Sequence, residues 1–319
     1  MKNLDQLVDK CIGSLLGTAV GDILGAGVEG YSREMIQSTY GELWTFLSSG
    51  RGFGCYTDDT EMALALAQSM VDCQGVDARH CAQTYADYYN PWRGYGGGAH
   101  AVMKALKQGA DYRKTGVMIF EDGSYGNGGA MRIAPVGLVY GNKTNEELRK
   151  AVVDAVLSTH VHPEGVDGAV IQAKAVGILA SLQTVTDFDP PVFLEALHNI
   201  AATKIIKEKI SYLQDVIAKD IPDDVAVARL GNGIRASEAV SCALLAVVKY
   251  HSAPEEAVIK SVGFGGDTDT IGAMTGAQIG ALHGKDWIPK RWFDNIENKT
   301  HGRDYMIKLA SQLAQLFKF

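Results

Sequence analysis

The stretch GGDTDTIGAMTGAQIGALHG, residues 265–284, contains glycines at 272, 276, 280 and 284, a spacing of four. The stretch GSLLGTAVGDILG at 13–25 repeats this spacing, with glycines at 13, 17, 21 and 25. Residues four apart share one face of an α-helix, and an interior glycine costs about 0.5 to 1 kcal/mol relative to alanine. Two such ladders therefore predict unusually close helix packing, and we expect the two helices to lie against each other at the centre of the molecule.

Two short acidic runs lie far apart in the sequence, and each precedes an apolar helical pattern. YTDDT at 56–60 precedes the pattern of 61–73, and GGDTDT at 265–270 precedes a helix predicted to begin near Ile271. Helix capping explains one Asp or Thr at such a position, but a cap needs only one oxygen. A second adjacent carboxylate adds repulsion unless a cation neutralises it. We therefore interpret the two runs as halves of one metal site.

The predicted metal ligands are all hard oxygen donors. The carboxylates are those of Asp58 and Asp59 in the first run and Asp267 and Asp269 in the second. Such ligands suit magnesium, manganese or calcium. Glu29 follows the glycine-rich end of the first ladder helix, where a carboxylate can be held in a cleft, although a lone Glu is usually solvated. If the ladder helices pair, the Glu29 loop and the second run open onto the same cavity.

The composition indicates a globular protein that does not bind nucleic acid. The chain has 319 residues, 46% of them hydrophobic, which suffices for a substantial core. A formal net charge of -7, with no block of Lys or Arg, provides no electrostatic footprint for DNA or RNA. The five cysteines lack CxxC spacing and predict neither a zinc ribbon nor a disulfide framework. Without a signal sequence or a membrane span, we expect a cytoplasmic protein.

Helical periodicity dominates the chain, and alternating strands are almost absent, so an all-α fold is expected. We predict one domain over 1–319, because a site drawn from both acidic runs requires the two ends of the chain to meet. The polar stretch at about 185–224 is expected to form a peripheral helical segment with a charged helix over 203–219. The plainest predicted helices are 61–73, 77–89, 146–158, 167–183, 233–250, 254–262 and 304–317.

Two further segments are rich in glycine, RGYGGGAH at 93–100 and GSYGNGGAMR at 123–132. Each precedes a helix-like pattern and can present backbone N–H groups to a phosphate, as neutral donors in an acidic protein must. Ser124 and Asn127 add side-chain donors, and Tyr125 offers a ring on which a base can stack. Turns and caps explain the same glycines, and neither segment fits a phosphate-loop or Rossmann fingerprint. His160 is interpreted as a substrate contact.

With these segments in view, the chain resembles the ADP-ribosylglycohydrolase family over nearly its whole length. Within that family, RGYG and GSYGNGGAMR are most similar to the branch called ADP-ribosylhydrolase 3. The segments that carry the resemblance are GSLLGTAVGDILGAGVE near the start, YTDDTEMALAL at 56–66, NPWRGYGGG at 90–98, GSYGNGGAMR at 123–132, STH at 158–160, LGNGI at 230–234 and GGDTDTIGAMTGAQIGA at 265–281.

The resemblance implies an orthogonal multi-helix bundle with two magnesium ions, or manganese in their place, near the mouth of a cleft. It implies release of ADP-ribose from ADP-ribosyl-serine, poly(ADP-ribose) and O-acetyl-ADP-ribose, with ADP-ribosylated proteins as partners. We expect a monomer. Glu29 matches the acid at the reacting centre. The implied metal ligands are Thr57, Asp58, Asp59, Asp267, Asp269 and Thr270. The implied substrate contacts are Gly96, Gly97, Ser124, Tyr125, Gly126, Asn127 and His160.

Three alternatives remain at this point. One is a hydrolase of ADP-ribosyl-arginine from the same family, which cleaves an N-glycosidic bond to the same sugar. Another is a non-catalytic relative of the crystallin type, which the complete set of carboxylates disfavours. A metal phosphohydrolase is the third, because oxygen ligands alone would permit it.

Overall fold

The computed structural model describes residues 4–317, which form an all-α bundle without a β-strand in that range. The first helices are α1 (Leu4–Gly25), α2 (Arg33–Thr39), α3 (Asp58–Cys73), α4 (Ala78–Tyr88), α5 (Gly97–Lys107) and α6 (Tyr112–Thr115). The next are α7 (Gly128–Met131), α8 (Ala134–Tyr140), α9 (Asn145–Val156), α10 (Pro163–Ser181), α11 (Pro190–Ile200) and α12 (Lys204–Ala218). The last are α13 (Asp223–Leu230), α14 (Ala236–Tyr250), α15 (Pro254–Gly263), α16 (Thr268–His283), α17 (Lys290–Phe293) and α18 (Arg303–Ala314).

The two glycine ladders lie against each other, as the sequence predicts. A Cβ atom built on Gly21 would overlap the carbonyl of Gly272 and lie 2.8 Å from the backbone nitrogen of Ala273. A Cβ on Gly17 would likewise overlap the carbonyl oxygen of Gly276. The backbones of α1 and α16 therefore touch directly, which only glycine permits at these positions. All of α1 from Lys10 onward and all of α16 except His283 are buried, so this pair forms the centre of the molecule.

The pair is antiparallel, and this register brings the end of α1 to the start of α16. Gly25 lies against Thr268, whose hydroxyl donates to the Gly25 carbonyl at 2.9 Å. Just beyond α1, Gly30 donates its N–H to the Gly266 carbonyl, and Gly266 returns a hydrogen bond to Tyr31, both at 2.8 Å. The loop that carries Glu29 is thereby fastened to the loop that carries the second acidic run.

Other helices enclose this central pair. α3, α15 and α18 lie against α1, and α10, α14 and α15 lie against α16. Their apolar faces form one continuous core with the pair. Within residues 4–317, no helix is both long and apolar enough to cross a bilayer.

Several helices begin earlier than the sequence predicts. α3 begins at Asp58 and α16 at Thr268, because both acidic runs enter the first helical turn instead of preceding it. α10 begins at Pro163, where proline suits the first turn and the His162 side chain accepts the N–H of Glu164 at 3.2 Å. The sequence VHPE is therefore a helix start, which its lack of apolar periodicity conceals.

The polar stretch 185–224 is largely helical. α11 and α12 lie entirely in it, together with a short 3-10 turn at Val185–Asp187 and the start of α13. Its two longer helices are amphipathic, since Leu197 and Leu213 are fully buried. Exposed charged residues, among them Lys204, Glu208 and Asp215, occupy the opposite face of α12, which explains much of the polar composition.

Candidate active site

The two acidic runs meet at the junction of α1, α3 and α16. Carboxylate oxygens of Glu29, Asp267 and Asp269 all lie within 4.8 Å of one another. Burial raises the pKa of Asp59 well above its usual value, and the carboxylates of Asp58 and Asp267 raise it further. Groups from both runs therefore face the same small space.

The first run is held at the start of α3. Thr57 caps the helix, because its Oγ1 accepts the N–H of Asp59 at 3.2 Å, and the same hydroxyl donates to Asp59 Oδ2 at 3.1 Å. Helix capping therefore explains the presence of Thr57, but it uses only one side-chain oxygen of the run. Asp59 Oδ1 is buried and has no hydrogen-bond partner among the described residues. Burial and the neighbouring Asp22 raise the pKa of Asp58 to about 7.

Asp22, which the sequence patterns do not single out as a site residue, holds the first run in place. Its carboxylate lies at the buried end of α1 and accepts the backbone N–H groups of Thr57 at 3.0 Å and Thr60 at 3.1 Å. The Thr60 hydroxyl donates to it as well, at 2.5 Å. Burial raises the pKa of Asp22 to about 6 despite these donors. An aspartate within a largely apolar glycine ladder is the sequence signal that could have revealed it.

The second run is shaped by two glycines. Gly265 and Gly266 have φ of +75° and +76°, which brings Asp267 to the N-cap position of α16. The Asp267 carboxylate does not cap the helix but accepts the side-chain amide of Asn127 at 2.5 Å. The N–H of Asp267 donates to Asn232 at 2.9 Å. Asp267 is thus turned away from the helix and toward the neighbouring glycine-rich segment.

Asp269 and Thr270 lie in the first turn of α16, and both are buried. Asp269 Oδ1 accepts the N–H of Thr270 at 3.0 Å. Burial, followed by the carboxylates of Asp59 and Asp267, raises the pKa of Asp269 well above its usual value. The Thr270 side chain opposes part of the rise in the pKa of Asp59, so the two runs lie close together.

The acidic cluster, formed by the carboxylates of Glu29, Asp58, Asp59, Asp267 and Asp269, suits a divalent cation. Buried carboxylates that repel one another are costly to ionise, and a bound cation removes that cost. The unpartnered Oδ1 atom of Asp59 is a free ligand position in this cluster. The donors are carboxylates and hydroxyls, with no thiol or imidazole among the predicted ligands, which favours hard cations such as magnesium or manganese.

Glu29 lies at the open side of the cluster, with its side chain about half exposed. Arg51 approaches it, with Nη2 3.9 Å from Glu29 Oε2. The pKa of Glu29 is raised, mainly by burial. Arg51 opposes this shift, and the Asp267 carboxylate adds to it. The only carboxyl group of the cluster that is substantially open to solvent is therefore the one that the sequence assigns to the reacting centre.

The segment 123–132 is tied to the cluster through Asn127, which is buried and donates to Asp267. Gly126 forms a bridge with Arg235 and donates its N–H to Ser124 Oγ at 3.1 Å. Tyr125 is 44% exposed, and the Arg235 guanidinium lies 4.6 Å from the centre of its ring. The helix that follows has only four residues, so this segment offers a turn rather than a long helix start.

His160 lies beneath this turn and is only 8% exposed. Its Nδ1 is 2.8 Å from the Thr159 hydroxyl, and a Cβ built on Gly128 would lie 2.9 Å from its Cε1. Burial and the nearby Arg132 lower the pKa of His160 to about 3. The ring is therefore neutral and supports the glycine turn from below.

Gly96 and Gly97 open helix α5 without any side-chain cap, and both are exposed. Within residues 4–317 no hydrogen bond joins either glycine to the acidic cluster. The neighbouring Tyr95 connects this helix start to α3, because its hydroxyl donates at 2.8 Å to Glu61. A Cβ on either glycine would meet nothing within 4 Å, so the space over this helix start is open.

An exposed apolar stretch, which the sequence interpretation overlooked, lies beside α5. Val117, Met118, Ile119 and Phe120 are each 44% to 54% exposed. A Cβ on Gly98 would lie 3.7 Å from the Phe120 ring. Together with Tyr125, this stretch provides apolar and aromatic surface next to both glycine-rich segments. Four consecutive exposed apolar residues in a loop are the signal that could have identified it.

Comparison with known proteins assigns the chain to a family. The model of the ADP-ribosylglycohydrolase family matches residues 3–318. A protein of unassigned function from Archaeoglobus fulgidus is 34% identical over 311 residues, covering 95% of both chains. ADP-ribosylhydrolase ARH3 of Mus musculus is 30% identical over 351 residues, covering 96% of this chain and 91% of its own. A solved structure named ADP-ribosylglycohydrolase-related protein complex has a TM-score of 0.76 at 25% identity and covers 98% of this chain and 100% of that one. This chain belongs to the ADP-ribosylglycohydrolase family.

Proposed function

We propose that this protein is a metal-dependent hydrolase that cleaves the glycosidic bond between ADP-ribose and its attachment point, releasing ADP-ribose. The observation that carries the proposal is the meeting of Glu29 with Asp267 and Asp269, whose oxygen atoms lie within 4.8 Å. A carboxyl group that can carry a proton thus stands at the open edge of a cluster that suits divalent cations.

The proposed ligands come from both acidic runs. We assign them to two Mg²⁺ ions, with Mn²⁺ as the alternative, because the donors are carboxylates and hydroxyls. When bound, such cations supply positive charge that orients the ribose hydroxyls and polarises water. The residues proposed to hold them are Thr57, Asp58, Asp59, Asp267, Asp269 and Thr270.

The rest of the ligand has a matching surface. The diphosphate needs neutral donors in an acidic protein, and the start of α5 at Gly96 and Gly97 presents uncapped N–H groups. We assign the contacts from the diphosphate to the ribose to Ser124, Gly126 and Asn127. Asn127 donates to Asp267 of the cluster, and the other two lie beside it in the same turn. The exposed ring of Tyr125 offers a stacking surface for adenine. His160, buried and neutral, supports this segment and so shapes the contact.

Hydrolysis breaks the bond from the anomeric carbon to the leaving oxygen, and the oxygen of water takes its place on that carbon. The leaving oxygen gains a proton and water loses one, and we assign this proton transfer to Glu29. The other carboxylates of the cluster are buried or partly buried in the two helix starts. Glu29 is the most exposed of these carboxylates, which supports its assignment to the leaving group.

We propose an O-linked substrate, namely ADP-ribosyl-serine, poly(ADP-ribose) or O-acetyl-ADP-ribose. The support is the similarity to ADP-ribosylhydrolase ARH3 over 96% of the chain. The cysteines are free in the structure, which suits a reducing compartment, and we propose a cytoplasmic monomer.

The test compares serine-linked and arginine-linked ADP-ribosyl peptides with Mg²⁺ and with EDTA. We expect ADP-ribose release from the serine peptide, a loss of at least about 100-fold in EDTA, and a similar loss in Glu29→Gln with ADP-ribose binding retained. Glu34→Gln on the exposed face of α2 is the matched control and is expected to retain wild-type turnover. Undiminished turnover in EDTA, or release of phosphate instead of ADP-ribose, would contradict the proposal. Preference for the arginine peptide would replace the proposed substrate.

A further inference from the structure

Arg51 is the one basic side chain paired with Glu29 in the described part of the chain. Its side chain is 17% exposed, and the distance of 3.9 Å from Nη2 to Glu29 Oε2 indicates an ion pair without a tight hydrogen bond. Glu29 otherwise faces the carboxylates of Asp267 and Asp269, which repel it when all are ionised. Arg51 is thus placed to hold Glu29 at the cluster.

The position of Arg51 is itself fixed by the glycine-rich segment 93–98. Arg51 Nε donates to the Arg93 carbonyl at 2.7 Å. A Cβ on Gly94 would overlap Arg51 Nη2 and lie 2.6 Å from its Cζ, so the guanidinium occupies the space that glycine leaves free. Gly94 has φ of +95°, which also favours glycine. Glycine is therefore favoured at position 94 both by its backbone conformation and by the space that the Arg51 guanidinium occupies.

Arg93 anchors this arrangement to the interior. Its guanidinium pairs with Glu297, donates to the Tyr56 carbonyl at 2.8 Å and lies 3.7 Å from the centre of the Tyr56 ring. Tyr56 immediately precedes Thr57, the cap of α3. The carbonyl that holds Arg51 is therefore rigidly connected to the first acidic run.

We propose that Arg51 is a positioning residue that holds the Glu29 carboxyl group over the acidic cluster, and that Gly94 provides its seat. This role rests on the proposed function of Glu29, but the geometry on which it depends can be tested without any activity. A misplaced catalytic group costs turnover more than substrate affinity. The expected signature is therefore a change in kcat with little change in KM.

The experiment measures kcat, KM and ADP-ribose affinity for Arg51→Ala, Arg51→Lys and Gly94→Ala. We expect Arg51→Ala to lower kcat about ten- to a hundredfold, with KM and ADP-ribose Kd within about threefold of wild type. Arg51→Lys should recover part of the loss, because it restores the charge but not the planar fork. Gly94→Ala should lower kcat to a similar extent, because its methyl group would displace the Arg51 guanidinium. The double variant should have the same kcat as Arg51→Ala alone, since the guanidinium is already absent.

Gly109→Ala is the control for backbone strain, because Gly109 has φ of +84° and a Cβ there meets nothing within 4 Å. It should keep wild-type kcat. Crystal structures of wild type and Arg51→Ala under the same conditions provide the activity-independent measurement, and the Glu29 carboxyl group should leave the neighbourhood of Asp267 and Asp269 in the variant.

An unmoved Glu29 in that crystal structure, a near-wild-type kcat, or a change confined to KM would overturn the proposal. So would a double variant in which the two losses multiply. A wild-type protein without hydrolase activity would instead contradict the proposed function, and the crystal structure would still decide the positioning role.

Discussion

Asp22 shows what a single side chain does for this site. Its carboxylate accepts two backbone N–H groups and one hydroxyl at the start of α3, and each such donor left unpaired in the interior costs about 1 to 3 kcal/mol. Sequence patterns miss this role because the partners, Thr57 and Thr60, lie far along the chain. The pairing of Arg51 with Glu29 is hidden for the same reason, since no motif spans them.

The ligand candidates were more accessible to prediction. Repeated Asp and Thr at two helix starts exceed what capping requires, and the structure brings Asp59, Asp267 and Asp269 together. The sequence also indicates Glu29 by its position after the glycine-rich end of α1, and the resemblance to a family assigns it to the reacting centre. Capping was a partly correct alternative, because Thr57 does cap α3 while Asp267 makes no cap.

At this same scale, His160 gives a prediction about pH. Burial lowers its pKa to about 3, whereas the unfolded chain titrates near about 6.5, so the unfolded state binds the proton more readily between these values. The contribution of His160 to the free energy of unfolding should therefore fall as pH drops below about 6.5. From pH 7.5 to 5.5 this one group contributes a loss of about 1.4 kcal/mol. Urea unfolding at the two pH values should show a smaller difference in His160→Gln. A midpoint near 6.5 for His160 in an NMR titration would contradict it.

At the scale of elements, the pairing of α1 with α16 determines where the site forms. The glycine spacing predicted this contact from sequence alone, because no other residue allows two backbones to touch. The helix starts were predicted less well. The acidic turns of α3 and α16 carry no apolar periodicity, and the turn at Pro163 is set by a cap that pattern reading does not weigh.

Gly21→Ala tests this contact. The added methyl would overlap the Gly272 carbonyl, so the helices must separate, at a cost of about 2 to 3 kcal/mol or more. Separation at this point also moves the Glu29 loop away from Asp267, and we expect hydrolase activity to fall with stability. Gly263→Ala, in the last turn of α15, is the control, because its Cβ meets nothing within 4 Å. Its free energy of unfolding should change by about 1 kcal/mol at most. Equal effects of the two substitutions would show that the close packing of α1 and α16 is not specific.

At the scale of the whole molecule, the fold brings together the two ends of the described chain. α1 and α16 are distant in sequence, yet their antiparallel register places the Glu29 loop beside the second acidic run. Asp22 on α1 holds the first acidic run at this same junction by accepting the N–H groups of Thr57 and Thr60. The all-α class and this convergence follow from periodicity and glycine spacing. The exposed apolar stretch 117–120 and the position of Arg51 do not, because both depend on loops without a repeating pattern.

The central claim is that both acidic runs hold the same divalent cations. An anomalous-difference map from crystals soaked in Mn²⁺ tests it most directly, because it locates the metal without assuming any activity. The account predicts density between the carboxylates of Asp59 and Asp269, with ligands from both α3 and α16, and loss of that density in Asp59→Asn. Density bound to only one run, or none at this junction at saturating Mn²⁺, would contradict it.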